Sequence, residues 1–322
     1  MNKLSFLFML ILFSCVDPSG EKNEKPLKRL KIEGIQNLSE EGIYDAWGIL
    51  KVGNKFIVRS SSGIATVEAK NIDSMLSRSV GDNDEGVILY DCFQDNVVEY
   101  FTEGDKLQTR SVELLEGQKH LVAARGRDFI ISTGLYENGR YLYTPREGEA
   151  RYFLSYPDLP DLPDLTEKMK AILYASSVLR VRPDGMRFVC ADMYSGVIDF
   201  CCVGNGSIEL VNRLCLHMPD IRLIGKKQPK ICYTRDSRMG FTDVAVAEDL
   251  VYVLYSGKSY REAGKDFTSC DTLMVFDWDG NLQNTYNLEH GVTGISYEVG
   301  ENVLYAVSNA PHTPLFRLQL PE

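Results

Sequence analysis

Histidine, long apolar runs and familiar catalytic motifs are scarce or absent in this sequence. Its 322 residues include only 4 histidines, so few side chains can serve as a base near neutral pH or as a nitrogen ligand for a metal. Neither Gly-x-Ser-x-Gly nor His-Glu-x-x-His occurs, which removes support for a standard α/β-hydrolase and for a zincin. After the first 14 residues, no apolar segment approaches the length of a membrane-spanning helix. The sequence therefore contains no motif that identifies a reaction.

Positive charge is also in deficit. The chain carries 35 Lys and Arg against 45 Asp and Glu, a formal net charge of −10 at pH 7. Proteins that bind nucleic acids neutralise backbone phosphates with clustered Lys and Arg. We therefore expect no nucleic-acid partner.

The first residues have the features of an export signal. Lys3 precedes an apolar run at residues 4–13, which is too short to span a bilayer. The run ends in Leu-Phe-Ser-Cys, which resembles a bacterial lipobox, where the cysteine is lipidated and becomes the first residue of the mature protein. We predict a signal peptide at residues 1–14 and lipidation of Cys15. The alternative is an ordinary signal peptide followed by an incidental cysteine.

A tether is predicted behind the lipidation site. Residues 15–28 are polar, contain Pro and Gly, and offer little apolar surface to pack. Residues 29–322 then form the folded body, attached to a membrane through the N-terminal lipid only. We expect a cell-envelope location, at the outer membrane and facing the periplasm or the surface.

Seven cysteines remain once Cys15 is lipidated. An odd number leaves at least one free thiol or an intermolecular bridge. Most of them sit in apolar, strand-like runs, where a free cysteine packs as a small hydrophobe. They are Cys92, Cys190, Cys201, Cys202, Cys215, Cys232 and Cys270.

A strand–turn–strand unit recurs along the body. Each copy has an apolar strand, a turn with Gly, Asp or Asn, and a second strand that ends near a small or hydroxyl residue. The copies lie at residues 46–60, 121–133, 177–192, 242–256 and 293–308, with a weaker one at 86–101. A second hairpin follows, most clearly at residues 141–153, 197–210 and 273–286.

Two hairpins per unit predict a four-stranded antiparallel sheet, and six units predict an all-β, six-bladed β-propeller. Residues 29–35 and 315–320 alternate like strands, and their pairing in one blade would close the ring and remove a sheet edge. The competing interpretation is a pair of β-sandwiches.

An insertion at residues 156–175 interrupts the repeat between the third and fourth units. It repeats Pro-Asp-Leu three times, which favours extended polyproline backbone, and continues into a short predicted helix at residues 166–174. Asp164 and Glu167 have the spacing of a capping box. The insertion is either a linker with a docked helix or a binding loop.

Four segments resemble a known family. Residues 240–243 (GFTD), 254–257 (LYSG), 273–281 (LMVFDWDGN) and 303–308 (VLYAVS) are similar to the TolB-like six-bladed propeller lipoproteins. The insertion and residues 177–199 resemble them too, whereas residues 36–150 match only loosely. Most members of this family lack an assigned function. The resemblance implies fold and location and supplies no catalytic residues.

Few residues of the sequence have the spacing of a metal site. Cys215 and His217 share a strand face, but strand packing explains them better than a zinc site. Residues 277–281 superficially resemble a calcium loop but lack its later ligands, so Asp-Gly here predicts a hairpin turn. Trp278 is then expected to be exposed near that turn or packed on a neighbouring blade.

We predict a non-catalytic binding or scaffolding propeller for an envelope protein, peptide or glycan, with no cofactor, no metal and no assignable catalytic or ligand-binding residues. The alternative is a propeller hydrolase or lyase with an acidic or metal site at the axial channel. A convergent set of acidic and His residues at the channel mouth would favour that alternative. A third possibility is a passive structural lipoprotein.

Overall fold

The computed structural model of the chain describes residues 28–52, 55–61, 63–68, 87–91, 96–104, 106–225, 229–298 and 300–321. The predicted signal peptide, Cys15, nearly all of the tether and Cys92 lie outside these residues. Within them, six sheets have three to five strands and one has two. No helix of the described part is long and apolar enough to cross a membrane.

Two short strands open the described chain and join the last two blades. They are β1 (Lys28–Arg29) and β2 (Ile32–Asn37). A 3-10 helix at Leu38–Glu41 follows them and leads into the first blade.

The first three blades come from the N-terminal half. Blade 1 contains β3 (Ala46–Val52), β4 (Lys55–Ser60) and β5 (Gly63–Glu68). Blade 2 contains β6 (Val87–Asp91), β7 (Asn96–Glu103) and β8 (Lys106–Ser111). Blade 3 contains β9 (His120–Arg125), β10 (Phe129–Gly134), β11 (Tyr141–Pro145) and β12 (Arg151–Phe153). Each sheet runs in chain order with antiparallel neighbours.

The C-terminal half supplies the other three. Blade 4 contains β13 (Ser177–Val181), β14 (Arg187–Asp192), β15 (Val197–Gly204) and β16 (Ser207–Cys215), and is followed by a separate hairpin of β17 (Ile221–Ile224) and β18 (Lys230–Tyr233). Blade 5 contains β19 (Phe241–Val246), β20 (Leu250–Tyr255), β21 (Cys270–Asp277) and β22 (Leu282–Val292). Blade 6 contains β23 (Gly294–Glu298), β24 (Val303–Val307) and β25 (Pro314–Gln319).

The strand–turn–strand units of the sequence are the first two strands of the blades. Strand β20 shows why these units are continuous apolar runs in the sequence. Four consecutive side chains of this strand are buried: Val251, Tyr252, Val253 and Leu254. A blade packs a neighbour on each face, so its central strands are apolar on both sides instead of alternating. The family-like turn after β21 contains Gly280 at φ +80°, a conformation that suits glycine.

The six blades form a propeller around an axis. Its innermost strands are β3, β6, β9, β13, β19 and β23, and from β6 onward each contacts the next, with β23 contacting β3. Blade 6 also binds blade 1 directly. The Thr293 hydroxyl donates to the Ala46 carbonyl at 2.7 Å, and the Lys51 amide donates to the Ser296 hydroxyl at 2.9 Å. The six-bladed, all-β prediction is confirmed.

The N-terminal strand differs from the prediction. A single strand was expected at residues 29–35, but the chain divides around Leu30, whose side chain is buried. Strand β1 pairs in parallel with β22 of blade 5, and β2 pairs antiparallel with β25 of blade 6. Leu30 packs in the apolar cluster shared by blades 5 and 6, and this burial turns the chain from one blade to the other.

The insertion also corrects two predictions. Its helix is α1 (Glu167–Leu173), and the N-cap is Thr166, whose hydroxyl accepts from the Met169 amide at 3.3 Å. Asp164 is therefore not the cap. The preceding Pro-rich segment is not extended, because the Leu162 amide donates to the Leu159 carbonyl and the Leu165 amide to the Leu162 carbonyl. These turns bury Leu159 and Leu165 and delay the start of the helix.

A second short helix lies in blade 5. It is α2 (Tyr260–Ala263), it begins with a capping box formed by Ser259 and Glu262, and it runs into a 3-10 helix at Gly264–Thr268. This connection joins β20 to β21.

Candidate functional site

A cavity of about 270 Å³ lies where the innermost strands converge. Five of the six innermost strands contribute to its wall. Its lining is mostly apolar and hydroxyl-bearing, with two arginines. The lining residues are Trp47, Arg59, Ile88, Leu89, Leu121, Val122, Ala175, Ser176, Ser177, Val178, Arg180, Met193 and Thr242. This axial cavity is the candidate site.

Two glycines let the wall close and bring a charge to the axis. A Cβ on Gly294 would lie 2.6 Å from the Gly48 Cα, so β23 and β3 can approach this closely only without side chains there. A Cβ on Gly48 would lie 2.5 Å from Nη2 of Arg59. The missing side chain of Gly48 thus leaves room for the guanidinium of Arg59, which comes from the second strand of its blade.

Asp243 is the carboxylate beside this cavity, and it is fully buried. Its Oδ1 accepts from Nη2 of Arg180 at 3.0 Å and from the Val244 amide at 2.9 Å. Its Oδ2 accepts from the Ile295 amide at 3.0 Å. Burial raises the pKa of Asp243, and the charges of Arg180 and Arg59 oppose that rise. Asp243 therefore joins blades 4, 5 and 6, and both its oxygens are occupied.

The two arginines are not fully neutralised. Arg180 also donates from Nη1 to the Leu179 carbonyl at 3.0 Å, yet its Nε has no hydrogen-bond partner. The Nε of Arg59 likewise has none. Burial lowers the pKa of Arg59 to about 10, with Asp243 raising it and Arg180 lowering it further. One carboxylate thus serves two guanidinium groups.

Trp47 completes the polar end of the cavity. The Arg59 Cζ lies 4.5 Å from the centre of the Trp47 ring, a cation–π contact that holds the guanidinium in place. The Trp47 side chain is still 44% exposed, which is high for a tryptophan next to the axis. Trp47 therefore presents a free aromatic surface beside a partly unsatisfied cation.

A larger cavity of about 490 Å³ lies between blades 2 and 3, away from the axis. Three of the seven charged side chains that line it form an ion-pair cluster around Glu99. Buried Glu99 accepts from Nε of Arg110 at 2.6 Å and from Nη2 of Arg125 at 2.8 Å, which ties blade 2 to blade 3. Because these three charges are paired with one another, we assign the Glu99 cluster a structural role at the boundary of blades 2 and 3.

The Glu99 cluster gives a pH-dependent prediction. Burial alone would raise the pKa of Glu99, but hydrogen bonds from Arg110 and Arg125 outweigh it and the net pKa is lowered. We expect E99Q to lower the free energy of unfolding by about 1–3 kcal/mol near neutral pH. Solvent limits the loss, since Arg110 is 55% exposed. Denaturant titration measures the difference.

The sign of the pH dependence follows from the lowered pKa. The stabilisation is complete above the ordinary value of 4.5 and disappears as pH falls through the folded-state pKa. The gap between E99Q and the parent should therefore shrink below that pH. E113Q, an exposed change in the same cavity, should stay within about 0.5 kcal/mol of the parent. A gap that widens on acidification would contradict this account.

The other residues that the sequence suggested for metal binding make contacts that stabilise the fold. His217 lies near the Tyr255 hydroxyl and the Arg238 carbonyl, at 3.2 and 3.3 Å, and lines neither cavity. Among the described residues, no group of three or more His, Cys, Asp or Glu is arranged to hold a metal ion. The carboxylate of Asp277 accepts from the amides of Asp279 and Asn281, which is turn geometry.

Trp278 is 4% exposed and donates from its indole N–H to the Ala247 carbonyl. The expectation of an exposed ring is therefore wrong, and the alternative of packing on a neighbouring blade is right, because Arg182 of the loop after β13 lies over the ring.

The structure describes six of the eight cysteines, and all six are free thiols. Three of them are buried, two are intermediate and Cys215 is exposed.

Sequence reasoning missed Arg59, Arg180 and Asp243. One signal was available for two of them. Arg180 interrupts the apolar run of β13, and Asp243 interrupts that of β19. A charge inside a strand buried on both faces needs a partner, which marks a position worth testing.

Comparisons with known proteins agree with the fold. A family model described as TolB-like 6-blade propeller-like matches residues 89–302. No curated protein shows significant sequence similarity to the chain.

Solved structures with the same architecture are distant in sequence. A gluconolactonase from Xanthomonas campestris is 12% identical, with 91% of this chain and 90% of that chain covered and a TM-score of 0.51. A Bacteroides fragilis protein is 11% identical, with 91% and 95% covered and a TM-score of 0.51. Virginiamycin B lyase from Staphylococcus aureus is 10% identical, with 91% and 100% covered and a TM-score of 0.47. At these identities the likeness concerns the fold alone.

Proposed function

The chain belongs to the TolB-like six-bladed propeller family, and from this premise we propose that it is a lipid-anchored binding propeller of the cell envelope. It captures part of an envelope protein, peptide or glycan without converting it chemically. The observation that carries the proposal is the axial cavity, where apolar walls and two incompletely partnered arginines converge from several blades. Ligand pockets combine these features, with a mostly apolar lining and few polar groups that orient the ligand.

Binding fits the site better than catalysis because its carboxylate is already engaged. A general base must reach the proton that it removes. Asp243 is fully buried and accepts hydrogen bonds on both oxygens from Arg180 and two backbone amides. Its geometry supports a role in holding Arg180, which makes it a positioning residue.

Thermal-shift screening of the full-length protein in detergent, together with elemental analysis, tests this function. We expect neutral or charged glycans or peptides to raise the midpoint of unfolding, since a ligand that binds only the folded state stabilises it. Turnover of a screened compound, or a stoichiometric divalent ion that raises the midpoint more than any organic ligand, would instead support the hydrolase or lyase alternative.

The anchor is tested at Cys15. C15S should abolish lipid attachment, and the C15S chains that have lost residues 1–14 should move from the membrane fraction to the aqueous fraction, because no other long apolar segment is present in the sequence. Detergent phase partition and mass spectrometry of the N-terminal peptide measure this. C215S, which removes an exposed thiol of the body, should leave both readouts unchanged. An N-terminal peptide of the parent without lipid, or membrane retention of C15S chains that have lost residues 1–14, would overturn the anchor.

A further inference from the structure

Among the residues that the structure describes, the axial cavity carries an uncompensated positive charge, although the whole chain has a net charge of −10. Of the described residues that line it, Arg59 and Arg180 are the charged ones, and the described carboxylate beside them is Asp243. Two guanidinium groups therefore share one carboxylate, which leaves one positive charge in excess. Keeping a cation away from bulk water is costly unless a counter-charge accompanies it.

The hydrogen-bond pattern points the same way. Nε of Arg59 and Nε of Arg180 are buried without an acceptor, although such groups almost always have one. Asp243 accepts from Arg180 Nη2 and from two amides, and it accepts from neither Nε. Both arginines line the cavity and are only partly shielded from solvent, so an anionic ligand there would pair with the positive charge that Asp243 leaves over.

The shape of the cavity narrows the kind of anion. Its volume of about 270 Å³ lies just below the range of roughly 300–1,000 Å³ that is usual for drug-sized ligands. Ile88, Leu89, Leu121 and Val122 form an apolar wall, and Trp47 offers an aromatic face. A small organic group fits these surroundings better than a hydrated inorganic ion does, because the apolar wall offers no replacement for hydration.

Resting on the proposed function, we propose that the axial cavity binds a carboxylate that carries an apolar or aromatic group, held by the guanidinium groups of Arg59 and Arg180. The planar fork of a guanidinium matches the two oxygens of a carboxylate. A single negative charge balances the excess in the cavity. The carboxylate can belong to the C-terminus of a peptide or to an acidic sugar of a glycan, since both present the same group.

Paired probes test the charge requirement. The full-length lipidated protein in detergent is titrated with benzoate and with benzamide, which share size and ring but differ in charge. Calorimetry gives the affinities, and fluorescence reports binding near Trp47, the exposed one of 2 tryptophans. Benzoate should bind and benzamide should bind at least about 10-fold more weakly. Equal affinity for both, or tighter binding of inorganic phosphate, would overturn the proposal.

Arg59 separates ligand binding from stability. R59M should weaken benzoate binding by about 10- to 100-fold. Its unfolding midpoint should change little, because the variant loses the contact with Trp47 but also removes a charge that is held partly away from water. R59K, which keeps the charge but not the fork, should bind with intermediate affinity. R187M, a variant outside the cavity in an ion pair with Asp279, is the control and should bind like the parent. Parent-like binding by R59M would overturn the proposal.

Two further pairs of probes identify the source of the carboxylate. They also distinguish a failure of this inference from a failure of the proposed binding function. They are a Gly-Leu-Phe peptide against its C-terminal amide, and glucuronate against glucose. Preference for the free acid in either pair, lost in R59M, supports the inference and names the source. Binding of an amide or of glucose with no preference for the acid overturns the inference while the proposed binding function stands. No binding of any probe counts against both.

Discussion

Replacing Arg140 by Met is expected to lower the free energy of unfolding by about 3–5 kcal/mol. Arg140 is 2% exposed and lies in the connection between β10 and β11 of blade 3. Its Nη2 donates to Asp192 at 2.9 Å, and its Nε lies 3.2 Å from Oδ2 of Asp199. Methionine fills much of the volume but leaves Asp192 as a buried carboxylate without a cation.

The loss should exceed that of an ordinary ion pair because Arg140 joins three parts of the chain. Asp192 and Asp199 belong to blade 4, whereas Tyr174 closes the insertion helix α1 and lies with its ring 5.2 Å from the Arg140 Cζ. Asp199 keeps a second partner in the variant, since Arg213 donates to it through two nitrogens. Most of the penalty therefore comes from Asp192, and part of it from looser docking of the insertion.

Denaturant titration and a double variant check this explanation. R140M/D192N removes the uncompensated charge and should recover part of the loss relative to R140M. R261M is the matched control, because Arg261 is 63% exposed in a surface pair with Asp236 and its loss should be small beside that of R140M. A loss for R140M as small as that for R261M would contradict the role given to the buried cluster.

The repeated part of the fold was predictable because local and global signals coincide in it. Residues 177–192 show this, since an apolar strand, a Pro-Asp-Gly turn and a second apolar strand occur together there. In the structure these are β13, the turn with Gly185 at φ +72°, and β14. The turn residues fix the hairpin, and the apolar strands need neighbours on both faces, so sheet and ring follow from the same pattern.

The axial site was not predictable in the same way, because it depends on distances between blades. Arg59, Arg180 and Asp243 come from blades 1, 4 and 5. Charge inside an apolar strand was visible at Arg180 and Asp243, but the sequence does not show which of the 45 acidic and 35 basic residues face each other. Arg59 was harder still to predict, because its side chain reaches the axis through the space left by the missing side chain of Gly48.

The insertion shows how tertiary burial overrides a local motif. Asp164 and Glu167 have capping-box spacing, yet Thr166 caps the helix. Leu165 lies between Asp164 and Thr166 and is buried with Tyr156 and Leu159. Packing Leu165 keeps the backbone in a turn at the position where the motif alone would start a helix. The helix has a side-chain N-cap two residues after the predicted one, and no capping box forms because Met169 occupies the N3 position.

The second large effect is expected at Gly240, in the family-like segment at residues 240–243. G240A should lower the free energy of unfolding by about 3 kcal/mol or more, at the upper end of overpacking costs. A Cβ there would lie 1.7 Å from the Ser195 carbonyl oxygen and 2.6 Å from the Asp192 carbonyl oxygen. Both are backbone atoms of blade 4, so no rotation of a side chain can relieve the overlap.

The overlap must then move blade 5 relative to blade 4, because the Gly240 amide donates to the Met193 carbonyl at 2.7 Å beside the same contact. Since Asp243 follows three residues later and holds Arg180 across this boundary, the shift should also disturb the axial cavity. Denaturant titration gives the stability, and benzoate affinity reports the cavity. G204A adds the same methyl where no atom lies within 4 Å, so it should be neutral or slightly stabilising. Equal stability of G240A and G204A would mean that the close contact between blades 4 and 5 does not constrain the fold.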